Sequence, residues 1–260
     1  MKKVLVAAAC CVLASLVWAQ TEVHSVNVAG VVKVPVKGNG GFTLVGINMD
    51  AFDVANATLM GVLGNNQLTP GARPSQCDQV WTWDGTQYNL YGLKTSDMQW
   101  HDASGYPNPW TNTPVNPTLI AGDAMWIVTL AGSADKSVTL TGQAVATASQ
   151  TITVNPGFNF ISYPLSSAIS IQNTAFKNDG AKAGSRPSQC DQIWAWDGNQ
   201  YALYGLKSSD MLWHDASGYP NPWTNVPVNV SFDLGSGFWY VRTDTNSFNW
   251  VEANPYIGNL

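Results

Sequence analysis

His101-Asp102 and His214-Asp215 are the pairs whose residue types could do chemistry, each followed two positions later by a serine, Ser104 or Ser217. An imidazole beside a carboxylate and a hydroxyl suits nucleophilic hydrolysis, but a triad needs an oriented nucleophile and an oxyanion hole. Neither serine sits in a nucleophile-elbow pattern, so a secreted hydrolase ranks last among the readings. Glycoside hydrolysis needs two flanking carboxyl groups, and the chain has only two glutamates, with its aspartates mostly in turn contexts. The three histidines are far apart in sequence, and Asp50 and Asp53 lack calcium-loop spacing. No metal or other cofactor is expected, and no catalysis.

The same stretch reads better as a contact surface. His101 to Asn112 recurs letter for letter as His214 to Asn225, with two prolines per copy and no strand period. Exposed Trp and Tyr faces stack on sugar rings while neighbouring amides bond hydroxyls. The candidate ligand-binding set is therefore Trp100, His101, Tyr106, Asn108, Trp110 and Asn112, with Trp213, His214, Tyr219, Asn221, Trp223 and Asn225 in the second copy. The competing reading is an ordered loop whose rings cap the end of the fold. Trp81, Trp83, Trp194 and Trp196 flank a hairpin turn at strand spacing, and are read as packing residues.

Cys77 and Cys190 occupy matching positions of the two copies. They are either a disulfide, which requires Cα atoms within ~7 Å, or two small buried hydrophobes, which is the simpler reading. Such a bridge would close a loop of over a hundred residues and contribute on the order of 4 to 5 kcal/mol.

Strands must hold these side chains, and a duplication must place them twice. Arg73 to Asn116 aligns without a gap on Arg186 to Asn229, and only seven of the 44 positions differ. The flanks match only as patterns, Gly41-Phe42-Thr43-Leu44 over Gly157-Phe158-Asn159-Phe160 among them. Alternating apolar residues at Val26/Val28, Phe42/Leu44, Trp81/Trp83, Trp126/Val128/Leu130 and Val138/Leu140 predict half-buried strands. Asp84-Gly85 and Asp197-Gly198 predict tight hairpin turns. Asn56 or Thr58 and Gly64 bound a short helix over 57–63, and a similar turn is expected over 173–178. Ser25 to Gly30, Ser137 to Gly142 and Ser247 to Trp250 share one strand pattern, so the middle strand is expected to end one module and open the next. The fold class that follows is all-β: a tandem duplication of a β-sandwich or barrel-like module, closely abutting, with at most one short helix per module. The expected divisions are a signal peptide at 1–19, one module at 20–142 and a second at 143–260.

Met1-Lys2-Lys3 and the apolar run from Val4 to Val17 read as a secretory leader cut after Ala19, taking Cys10 and Cys11 with it. That run falls short of the ~20 residues needed to cross a bilayer, and no later segment comes near that length. Without Lys2 and Lys3, ten basic residues face seventeen acidic ones, a mature net charge of −7. Nucleic acid and anionic membranes are poor partners for that balance, since both need clustered Lys and Arg. Charged residues are 11% of the chain against roughly 25% in ordinary soluble domains, so an uncharged polar surface must keep the protein soluble.

Cys77-Asp78-Gln79-Val80-Trp81-Thr82-Trp83-Asp84-Gly85, Gly235-Ser236-Gly237-Phe238-Trp239-Tyr240 and the opening Ser25 to Gly30 resemble a group of exported β-rich repeat proteins from Verrucomicrobia-like and Planctomycetes-like bacteria. A lead strand, a Gly-aromatic strand, a D-x-(I/V)-x-x-W-(D/N) hairpin and a G-x-G-(F/Y)-W strand recur in that group. The first copy departs from the last motif with Gly122-Asp123-Ala124-Met125-Trp126. The resemblance implies export and β architecture and brings no activity. The sequence thus predicts a non-catalytic surface, matrix or adhesion protein that is extracellular, on the cell surface or in the periplasm. The alternative is a carbohydrate-binding protein using both repeated loops, with an extracellular polysaccharide or other surface proteins as partners.

Overall fold

The computed structural model describes residues 28–105, 110, 113–218, 223 and 226–259. The expected leader and its cleavage point lie outside them. The first half runs β1 (Ala29–Val36), β2 (Phe42–Gly46), α1 (Leu59–Leu63), β3 (Gln79–Trp83), β4 (Tyr88–Lys94), β5 (Gln99–Asp102), β6 (Ala124–Val128) and β7 (Lys136–Gln143). The second runs β8 (Ser149–Val154), β9 (Gly157–Ser162), β10 (Ile169–Ser170), α2 (Phe176–Asp179), β11 (Gln192–Trp196), β12 (Tyr201–Lys207), β13 (Leu212–Asp215), β14 (Ser231–Phe232), β15 (Gly237–Arg242) and β16 (Phe248–Ala253). The protein is all-β, with one antiparallel five-stranded sheet in each half, ordered β2-β6-β3-β4-β5 and β9-β15-β11-β12-β13. Register repeats with order: Trp81 faces Trp126 and Leu90, as Trp194 faces Trp239 and Leu203.

Alternation along the strands decides which side chain goes where. Val80, Met125, Ile127 and Val45 turn to one face of the first sheet, where the β1·β7 ribbon and α1 cover them with Val32, Val34, Val138, Leu140, Leu59 and Leu63. Trp81, Trp83, Trp126 and Leu44 turn to the other. The β8·β16 ribbon and α2 close the second core in the same way around Trp250, Phe176, Phe238 and Tyr240. Thr58 caps α1 by accepting from the Gly61 N–H, and Gly64 ends it at a φ of 71°, as the sequence predicts.

The Asp-Gly hairpins form, but two expectations about the turn and the boundary strand need correction. Trp83 pairs with Tyr88, leaving a four-residue loop in which Asp84 Oδ1 accepts from the Thr86 and Gln87 N–H groups. The carboxylate supplies the turn, so Gly85 alone needs a positive φ. The middle boundary strand is also not shared. β7 pairs with β1 only, and the second module opens on its own β8, with residues 144–148 between. The physical reason lies in the pleat: Val138 and Leu140 face the first core, whereas Ser137, Thr139 and Thr141 give the opposite face nothing to bury.

The two outward aromatic faces meet one another about a pseudo-twofold axis. Gly46 N–H donates to Gly235 O at 2.9 Å and Ser162 N–H to Gly122 O at 2.8 Å, so each edge strand binds the opposite module. Trp83 Nε1 donates to Phe158 O and Trp196 Nε1 to Phe42 O. Trp126 meets Trp196 edge-on at 5.6 Å and Trp83 meets Trp239 at 5.5 Å. Such reciprocity is the mark of an isologous interface, here within one chain. Trp83 and Trp196 are accordingly packing residues, in the seam between modules, while Trp81 and Trp194 pack half-buried against the same aromatic cluster.

Because each sheet is buried on both faces, the modules should unfold together, as one calorimetric transition; two resolved transitions would overturn the coupling. Trp239→Ala deletes the ring stacked on Phe160 at 4.4 Å and should cost about 3–5 kcal/mol in denaturant unfolding.

Candidate functional site

The repeated block brings its polar side chains onto its own backbone. β5 carries Trp100 and His101, and β13 carries Trp213 and His214; all four are buried at 1% exposure or less. His101 Nε2 lies 3.0 Å from Asp97 Oδ2, and His214 Nε2 the same distance from Asp210 Oδ2. Burial opposes ionisation of Asp97 and Asp210, yet N–H bonds from Gln99 and Leu212 and the histidines hold both carboxyls below their ordinary range. Asp102 and Asp215, the neighbours in sequence, instead accept from the Ser104 and Ser217 N–H groups. The His-Asp-Ser order of the sequence is thus two separate arrangements, an imidazole–carboxylate pair and a turn.

Trp110 returns from the loop to lie over Gly92, where a Cβ would come within 2.7 Å of its ring and 2.5 Å of Cys77 Sγ. Its Nε1 donates to Gly71 O, and the ring is 8% exposed. Trp223 covers Gly205 and Cys190 equivalently and is half-buried. Of the twelve loop candidates, Tyr106, Asn108, Asn112, Tyr219, Asn221 and Asn225 lie outside the described residues. Trp100, His101, Trp110, Trp213 and His214 face protein, because strand alternation and the Gly92 gap draw them inward.

Cys77 and Cys190 are buried free thiols, each inside its own module, and the bridge considered from the sequence is not formed. Each Sγ donates to a carbonyl three residues back, Pro74 O or Pro187 O. Burial pushes both thiols up to about 12, helped in each case by the adjacent aspartate. Neither is a nucleophile near neutral pH.

Those aspartates, the first residue of each hairpin motif, are fully buried hubs. Asp78 accepts from Thr69 N–H, Leu130 N–H and Lys136 Nζ. Asp191 accepts from Lys182 N–H, Thr243 N–H, Tyr240 Oη and Arg242. One role is filled twice, with a lysine from β7 in one copy and an arginine from β15 in the other.

Open space lies elsewhere. A recess of about 500 Å³ at the module junction carries charges of both signs, Lys33 and Lys37 against Asp197 and Asp233. Two smaller recesses, of about 400 Å³ and about 340 Å³, are equivalents on the outward faces of the two sheets. Gln79 and Trp81 floor one, and Gln192 and Trp194 the other. Trp81 Nε1 donates to Gln79 Oε1 at 2.8 Å, while Gln79 Nε2 donates to Pro74 O at 2.9 Å. Trp194, Gln192 and Pro187 repeat this chain of bonds at 2.8 and 2.7 Å. Sequence reasoning missed the glutamines; the available signal was Gln-x-Trp along one strand, which puts both side chains on one face. Among the described residues no group of three or more His, Cys, Asp or Glu could hold a metal ion, and no helix is long and apolar enough to cross a membrane. No family model, curated protein or solved structure matches the chain.

The copies differ where divergent flanks meet the repeated block. Trp100 Nε1 donates to Gly64 O at 3.1 Å, whereas the buried Trp213 Nε1 has no acceptor, because the second copy has another helix at that place. Trp100→Phe should therefore cost about 1–3 kcal/mol more than Trp213→Phe, measured by paired denaturant melts; equal costs would refute the asymmetry. At the junction, burial pushes the Asp123 carboxyl up, only partly offset by the Ile120 N–H. Its folded value is raised, so stability is full below the unfolded value near 3.8 and falls as pH rises through the folded one. Asp123→Asn keeps an acceptor for Ile120 and should melt above the parent at pH 7, with the advantage gone by pH 3; a lower melting temperature at pH 7 would contradict this.

Proposed function

We propose that the protein is an exported, non-catalytic surface or matrix component, two modules locked into one rigid block. The supporting observation is the use the repeated block makes of its polar side chains. Asp78 and Asp191, Gln79 and Gln192, Asp84 and Asp197, and the His101 and His214 pairs all hold turns, strands or rings in place. A block repeated for that purpose builds a scaffold. The low charge content suits a protein that works in a dense polar layer outside the cell.

A second reading, carbohydrate binding, is favoured by one specific observation: the half-buried Trp81 and Trp194, each fixed by a glutamine in an uncharged recess. Both readings place the protein outside the cytoplasm. N-terminal sequencing of the chain recovered from medium and cell-surface washes should begin at Gln20. Recovery only inside cells, still starting at Met1, would end the export reading. Turnover of ester, glycoside or peptide substrates that disappears in His101→Ala/His214→Ala would end the non-catalytic one.

A further inference from the structure

The two equivalent recesses share what a sugar ring needs and little that other ligands use. Gln79 and Trp81 stand on alternate positions of β3, as Gln192 and Trp194 do on β11, so amide and indole share a face. The indole cannot swing: its N–H is tied to the amide, the amide is tied to the Pro74 or Pro187 carbonyl, and Phe42 or Phe158 meets the ring edge-on at 5.4 or 5.5 Å. A flat ring fixed before the ligand arrives loses no side-chain freedom on binding. Val128 or Val241 forms an apolar wall, and Ser75 or Ser188 places a hydroxyl on the rim. Each glutamine lines the recess beside its indole.

Size and charge narrow the ligand. At about 340 and 400 Å³ the recesses sit at the small end of the ~300–1,000 Å³ of ligand sites, fitting one or two sugar rings. No Asp, Glu, Lys or Arg lines either one, and the excess of acidic residues disfavours polyanions. Within the repeated block, none of the seven positions at which the copies differ lines a recess. Beyond the block the walls diverge, with Leu130 where the second copy has Thr243.

We propose that these recesses are a duplicated binding site for single rings of a neutral polysaccharide, stacked on Trp81 and Trp194. The assignment rests on the carbohydrate-binding reading and fixes its location on the strands rather than in the repeated loops. Held by one rigid body, two weak sites give avidity on a polymer that neither has alone.

The test uses the full mature chain, retained on insoluble cellulose, chitin and xylan and titrated with their soluble hexasaccharides by tryptophan fluorescence. Retention on at least one polymer is expected, with at least a tenfold loss for Trp81→Ala or Trp194→Ala and near-complete loss for the pair. Since both rings also pack against the aromatic cluster of the seam, Ser75→Arg and Ser188→Arg supply a second arm: they obstruct the rim without touching the core and should weaken retention at an unchanged melting temperature. Retention that withstands both sets of variants overturns this site and leaves the carbohydrate reading standing. Retention on none of the polymers overturns both.

Discussion

Two backbone hydrogen bonds, Gly46 N–H to Gly235 O and Ser162 N–H to Gly122 O, fix where both sheets stand. They need two chain segments to cross closely, and glycine permits it: Gly122 and Gly235 hold φ of 101° and 82°, and a Cβ on either would strike Ile152 or Val34. Once the crossing is set, the outward faces of the two sheets meet across a gap that side chains must fill. Large flat rings suit that gap, because edge-to-face contacts fill space while satisfying the ring quadrupoles. The tryptophan content thus follows from burying each sheet on both faces.

Burying both faces also explains the buried carboxylates. A strand with core on one side and seam on the other has no solvent to satisfy the groups where it begins, so Asp78 and Asp191 gather nearby N–H groups and one cation apiece. A buried charge must be paired or it costs several kcal/mol. That the pairing cation comes from β7 in one module and β15 in the other indicates that the carboxylate is the fixed requirement and the cation's origin is free.

Much of this was legible in the residues. Alternation gave the strands, Thr58 and Gly64 bounded the helix, and the gapless repeat implied equal sheets, because each signal is local. The seam was not legible: Trp81 at strand spacing signals burial on one face without saying whose surface lies opposite. The place of Trp110 was not legible for the same reason, since Gly92 opens a slot for it only after three strands have paired. Gly-x-Gly-aromatic-Trp reads as a strand start, whereas its first glycine works across the module boundary. The anchoring of Gln79 and Gln192 on the Pro74 and Pro187 carbonyls depends on a turn five residues upstream, which no pattern along the strand reveals.

One difference between the copies follows from the axis. In a twofold assembly, residues near the axis meet their own equivalents, so any bulk placed there is met by the same bulk. Ala124 and Gly237 are such a pair, and a Cβ on Gly237 would fall 2.9 Å from the Ala124 Cβ and 2.2 Å from Leu44. Two identical alanines collide and two glycines leave a gap. A homodimer must accept one or the other; a duplicated chain can keep alanine in one copy and glycine in the other. Leu44 and Phe160 differ at the same seam, where Phe160 stacks on Trp239. The repeated block also reaches the seam, through Trp83 and Trp196, which are the same in both copies and meet Trp239 and Trp126 of the opposite module. Difference between equivalents that meet at the axis is therefore something that two copies within one chain allow, and the departure of Gly122-Asp123-Ala124 from Gly235-Ser236-Gly237 is one instance of it.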